Sequence, residues 1–78
     1  MSGGPPGTQV VTRVADILRV VSQMMPDGAG TREIATLVGL TRPTAHRLLT
    51  SLTNQGLVDR DSDSGRWMLG PEIFLMGV

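Results

Sequence analysis

A mainly α-helical fold closed by a small β-hairpin is what this sequence predicts, and three observations predict it. Apolar residues recur at helical spacing in three stretches between residues 10 and 55. Glycine or proline stands in each gap between them, and two short runs of alternating character follow the last stretch.

Residues 1–8 hold three glycines and two adjacent prolines, a composition that predicts a flexible or extended tail outside the fold. From residue 10 to 25, Val10, Val14, Ile17, Val21 and Met24 form one helical row, and Val11, Ala15, Leu18 and Met25 form a second. Two rows are more than one small core requires of a single helix. Val11, Leu18 and Met25 are therefore read as contacts to a partner subunit, against the plainer readings that both rows are buried within one chain or that the second row is covered by a further helix after the hairpin. Pro26 disfavours helical geometry at Met25, and Asp27 and Gly28 complete a turn.

Residues 31–38 predict a second helix of about two turns, with Thr31 or a neighbour as N-cap and Glu33 where the helix dipole favours an anion. Ile34, Ala35 and Val38 give it an apolar face, and Ala35 is small enough to let the next helix approach. Gly39 supplies a left-handed turn and Leu40 anchors it. Thr41 then caps a third helix over residues 42–55, whose first turn tolerates Pro43 because amide hydrogens there lack an intrahelical acceptor. Ala45, Leu48, Leu49 and Leu52 form its inner face, leaving Arg42, Pro43, His46, Arg47 and Thr50 outside.

Gly56 fits the left-handed position after that helix, and residues 57–61 and 66–69 predict two strands around a turn of Ser62, Asp63, Ser64 and Gly65. A period of two puts Trp67 and Leu69 on one face with Val58 as partner, and sends Arg66 and Met68 outward. Gly70 and Pro71 open a further helical segment through Ile73, Phe74, Leu75 and Met76. Three helices followed by a hairpin is the order of a winged helix-turn-helix, here over residues 9–70, with residues 71–78 as the start of a linker helix.

Composition bounds the function. A chain of 78 residues buries only about 60–65% of its unfolded surface, too little for a large enzyme cleft, and an enzyme is not expected. With no cysteine there are neither disulfides nor thiolate metal sites, and no cofactor is expected. No export signal and no run near the roughly 18 apolar residues of a membrane span are present, so a cytoplasmic protein is expected. The formal net charge is zero, yet all seven basic residues are arginine, and the segment from Thr41 to Gly56 carries Arg42 and Arg47 with no acid.

That local excess on an outer helix face points to double-stranded DNA. Arg47 is suited to guanine or phosphate and Arg42 to phosphate, while Thr41, Thr44 and Thr50 offer short hydroxyl contacts and Arg66 would reach the backbone or minor groove from the hairpin. Pro43 and the lone His46, a surface residue beside Arg47, complete the expected DNA-binding set, since a single histidine without nearby cysteine makes no metal site. Asp59, Asp61 and Asp63 alternate like the opening of a calcium loop, but Ser64 stands where the glycine belongs and Gly70 where the closing glutamate belongs.

Specific strings add a closer match. Arg13, Val14, Ile17 and Leu18; Glu33, Ile34 and Ala35; Val38, Gly39 and Leu40; Thr44, Ala45, His46, Arg47, Leu48 and Leu49; Leu52; Gly56, Leu57 and Val58; and the run Gly65, Arg66, Trp67, Met68, Leu69, Gly70, Pro71 together resemble the IclR family over roughly residues 10–76. The resemblance implies the N-terminal winged domain of a bacterial transcriptional regulator, with its third helix in the major groove of an operator and a larger, absent C-terminal domain that senses a small-molecule effector. It further implies a homodimer or homotetramer paired partly through the first helix, and hence a pseudo-palindromic operator. Pro43 stands where such proteins often carry serine, and Thr41 where proline is common. The alternative is a winged helix used only for protein contact, such as the dimerising module of a cytoplasmic methyltransferase.

Overall fold

The computed structural model describes residues 8–77, in the order α1 (Thr8–Gln23), α2 (Thr31–Val38), α3 (Arg42–Asn54), β1 (Val58–Arg60), β2 (Trp67–Leu69) and α4 (Pro71–Met76). Most of the expected tail lies outside the described residues, but Thr8, assigned to that tail, opens α1. At its other end α1 stops at Gln23, two residues earlier than predicted. Met24 and Met25 continue as turn, and the Gly28 amide donates back to the Met24 carbonyl at 2.9 Å. Among the described residues no helix is long and apolar enough to cross a membrane.

The core is a single cluster. Ile17 and Val21 from α1, Ile34 from α2, Leu49 and Leu52 from α3, Val58 from β1 and Trp67 from β2 are buried together with Ala29. Each fully buried aliphatic side chain contributes on the order of 1.5–3 kcal/mol through removal from water. Ala35 on α2 and Ala45 on α3 are buried, and small side chains at such positions permit close approach of neighbouring elements. Gly39 closes α2 at φ 79°, and its amide donates to the Ala35 carbonyl at 2.9 Å. Thr41 caps α3 as expected, its hydroxyl accepting from the Thr44 amide at 3.4 Å.

Two expectations are corrected. First, the two apolar rows of α1 are not separate faces. Leu18, from the second row, packs against the same core as Val14 and Met24, whereas Val10 and Val11 at the start are exposed. The N-cap of α2 is Gly30, the neighbour of Thr31, within the expectation of Thr31 or a neighbour. The Thr31 hydroxyl is engaged elsewhere, accepting the Trp67 indole Nε1–H at 2.9 Å. A buried indole needs an acceptor, and this contact satisfies it. Second, Met68 does not point freely outward but is half-buried over the turn at Gly28.

The hairpin is antiparallel, with Val58 opposite Leu69, Asp59 opposite Met68 and Arg60 opposite Trp67. The strands are shorter than the predicted runs, although the Asp61 amide still donates to the Arg66 carbonyl at 2.8 Å beyond them. The other edge of β2 is also paired. Ala29 and Trp67 exchange both backbone hydrogen bonds, at 2.9 and 2.7 Å, so the α1–α2 connection forms a one-residue third strand. β2 thus lies between that connection and β1, with α1 against β2 and α3 against β1.

Gly28 and Gly39 share φ 79° but differ in their surroundings. A Cβ on Gly28 would overlap the Trp67 carbonyl oxygen and stand 2.8 Å from Met68 Cγ, whereas a Cβ on Gly39 meets nothing within 4 Å. Gly39→Ala is expected to cost about 1 kcal/mol, the left-handed penalty alone. Gly28→Ala is expected to cost about 2–4 kcal/mol, because overpacking against the β2 backbone adds to that penalty. Urea denaturation of the two variants checks this, and equal losses would contradict the packing described for Gly28.

Candidate nucleic-acid interface

The outer face of α3 follows from its inner one. With Ala45, Leu49 and Leu52 buried, the 100° step of a helix turns Arg42, Pro43, His46, Arg47 and Thr50 to solvent as one continuous stripe. No acid lies on α3. Among the described residues neither Arg42 nor Arg47 is held in an ion pair. Thr41 and Thr44 are less free, since the Thr41 hydroxyl donates to that of Thr44 at 3.0 Å and Thr44 is half-buried.

Around the first turn of α3 lies an open cleft of about 660 Å³, lined by Thr31, Arg42, Pro43, His46 and Arg60. Three of the lining residues, Thr31, His46 and Arg60, each contact Trp67. The His46 ring meets the indole edge-on, with centroids 5.9 Å apart and planes at 75°. The Arg60 guanidinium lies over the indole ring, 4.7 Å from its centroid, and its Nε donates to the Gly65 carbonyl at 3.0 Å. Arg60 went unnoticed among the sequence candidates. The signal was nevertheless present, because the alternation that puts Val58 on the Trp67 face puts Arg60 there too.

Arg66 is placed differently from its expected role. Its side chain turns back across the α1–α2 turn, where Nε donates to the Asp27 carbonyl at 3.2 Å and Nη2 to the Gly28 carbonyl at 2.9 Å. Glu33 Oε1 lies 3.6 Å from the same Nη2. Arg66 thereby supplies hydrogen-bond donors to two loop carbonyls instead of extending from the tip of the hairpin. The tip itself is fixed by Asp61, which accepts the Ser64 amide at 2.8 Å on Oδ2, while its own carbonyl accepts the Gly65 amide at 2.8 Å. Hydrogen bonds from the Ser64 side chain and backbone hold the Asp61 carboxyl below its ordinary pKa.

Of the residues expected at a partner interface, Val11 is exposed, whereas Leu18 and Met25 are half-buried, Leu18 against the core. Phe74, Leu75 and Met76 on α4 are also exposed.

Comparison with known proteins agrees with this architecture. The model of the IclR helix-turn-helix domain matches residues 10–62. An HTH-type transcriptional regulator of Mycobacterium tuberculosis is 43% identical over 70 residues, covering 90% of this chain and 27% of that protein. The solved structure of an IclR transcriptional regulator from Alicyclobacillus acidocaldarius superposes with a TM-score of 0.81 at 29% identity, over 88% of this chain and 28% of that one. An O-methyltransferase of neocarzinostatin biosynthesis shares the fold less closely, with a TM-score of 0.60 at 31% identity over 87% of this chain and 22% of the enzyme. The chain therefore spans about a quarter of the length of the regulators it matches.

The hairpin tip carries its own pH dependence. Because the folded pKa of Asp61 is depressed, its contribution to stability is full above the unfolded value of about 3.9 and is lost as pH falls through the folded value. The Tm advantage of the wild type over Asp61→Asn is expected to be constant above about pH 5 and to shrink below about pH 4. An advantage that stays unchanged down to about pH 2.5 would contradict the role given to the carboxylate.

Proposed function

The chain belongs to the IclR helix-turn-helix family, and from that premise we propose that residues 9–70 read a double-stranded DNA operator as the binding domain of a bacterial transcriptional regulator. In this reading α3 lies in the major groove, α2 crosses the phosphate backbone and the hairpin reaches the adjacent backbone. The observation that carries it is the acid-free stripe of Arg42, Pro43, His46, Arg47 and Thr50 on a chain whose formal net charge is zero. A neutral molecule lacks long-range attraction for a polyanion, so its positive charge acts where it is concentrated.

Roles follow from position along the helix. Arg47, a turn inside α3, reads a base edge, the bidentate guanidinium matching guanine O6 and N7. Arg42, at the first residue of α3, clamps phosphate, and Thr41, Thr44 and Thr50 add short contacts that fix the register. Pro43 presents an apolar surface where a hydroxyl would otherwise stand. Arg66 is assigned to holding the α1–α2 turn, on the strength of its two carbonyl contacts.

Two copies pairing through the exposed start of α1, at Val11, would set two α3 helices on successive major grooves about 34 Å apart and so require a pseudo-palindromic operator. A homodimer or homotetramer fits that geometry. Response to a small-molecule effector, which the family resemblance implies, belongs in this reading to sequence beyond residues 1–78. The rival use as a dimerising module of an enzyme is not favoured, since its methyltransferase neighbour superposes at a lower TM-score than the IclR regulator.

Fluorescence anisotropy with duplex DNA from the region upstream of the protein's own gene, and with a scrambled duplex, tests the reading across a salt series. Arg47→Ala is expected to cost about 1–3 kcal/mol on the specific duplex and little on the scrambled one. Arg42→Ala is expected to weaken both alike and to reduce the salt slope by about one. No binding of either duplex by the wild type at low salt would refute DNA reading, and identical effects of the two variants on every sequence would refute the division of roles.

A further inference from the structure

The cleft between α3 and the hairpin brings three nitrogen-bearing side chains from different parts of the chain to one place. Arg42 comes from the first residue of α3, His46 from one turn later, and Arg60 from the end of β1. No carboxylate is among the five residues that line the cleft. Arg60 is held at two points, by the indole face beneath it and by the Gly65 carbonyl at its Nε. Neither contact engages the terminal nitrogens of the guanidinium. A planar cation stacked on an aromatic ring and anchored by one N–H is pre-organised, so little side-chain freedom is lost when its remaining donors meet an anion. His46, fixed edge-on against the same ring, lines the same space.

We infer that Arg60, Arg42 and His46 form one subsite for a phosphate of the DNA backbone, and that Arg60, through its stack on Trp67, is the residue by which the hairpin grips the duplex. This rests on the DNA-reading function proposed above and names the contact that fixes the hairpin. Asp59, the neighbouring acid, alternates to the other face of the hairpin, where its Oδ1 accepts the Arg60 amide at 2.9 Å. Among the described residues no acid forms an ion pair with Arg60, and its terminal nitrogens are left for a ligand.

Binding of the protein to a random-sequence duplex and to its own upstream duplex, followed by anisotropy across a salt series, tests the subsite. Arg60→Gln is expected to weaken both duplexes by a similar factor, about three- to tenfold, and Arg60→Lys to recover part of that loss because the charge returns without the planar fork. Arg60→Gln combined with Arg42→Gln is expected to lower the salt slope by about one in total, since both act on one phosphate, and not by about two. Arg66→Gln is expected to lower Tm but leave the slope unchanged. Thermal melts identify any variant that has lost its fold, and Arg60→Met serves in place of an unfolded Arg60→Gln. Wild-type binding with an unaltered slope and affinity in folded Arg60→Gln would overturn the subsite while leaving DNA reading intact. A fall of about two in the double variant would overturn the shared phosphate. Failure of the wild type to bind either duplex would overturn both.

Discussion

Trp67 touches nearly every element that has to be held in place for the outer face of α3 to be useful. Its backbone pairs with Ala29 on one side and lies opposite Arg60 on the other, its indole N–H is accepted by Thr31 at the start of α2, and its ring carries Arg60 on one surface and His46 at its edge. It is also buried in the one apolar core. A single aromatic residue thus couples the hairpin, the α1–α2 connection and both helices of the turn. In a chain with one tryptophan, one phenylalanine and no tyrosine, no other residue has the area and the polar handle to do so.

The distribution of charge follows from that frame. The net charge is zero, but the acids sit on α1, the α1–α2 connection, α2, the hairpin and α4, and α3 has none. Glu33 is drawn toward Arg66, Asp16 toward Arg19, and Asp61 toward the backbone of its own turn. Local separation rather than overall excess creates the positive face. Such a surface limits non-specific attraction to phosphate while keeping close-range contacts strong.

Much of this was legible in the sequence. The α2–α3 turn announced itself through Ala35, Gly39, Thr41 and Ala45, because helical period, left-handed glycine and N-cap chemistry are all local. The Ala29 bridge was not legible, for one residue between two glycines has no periodicity to detect. Thr31 has the chemistry of a cap, but its hydroxyl accepts a distant indole N–H, a contact with no local signal, and its neighbour Gly30 holds the cap position. Alternation correctly put Arg66 on the face away from Trp67, yet that face meets the carbonyls of Asp27 and Gly28, a tertiary contact 38 or 39 residues away in sequence. Arg60 was recoverable from its spacing to Val58. The breadth of the α1 apolar surface suggested two faces where helix packing supplies one core contact and an exposed start.

Nuclear magnetic resonance of the single Trp67 indole N–H during titration with duplex DNA tests the central claim, that one aromatic residue unites α3 and the hairpin into one DNA-facing surface. The indole resonance is expected to shift together with backbone amides of residues 42–51 and 60–65. A duplex that binds while leaving the indole unmoved, with shifts confined to residues 10–11 and 73–76, would contradict the claim.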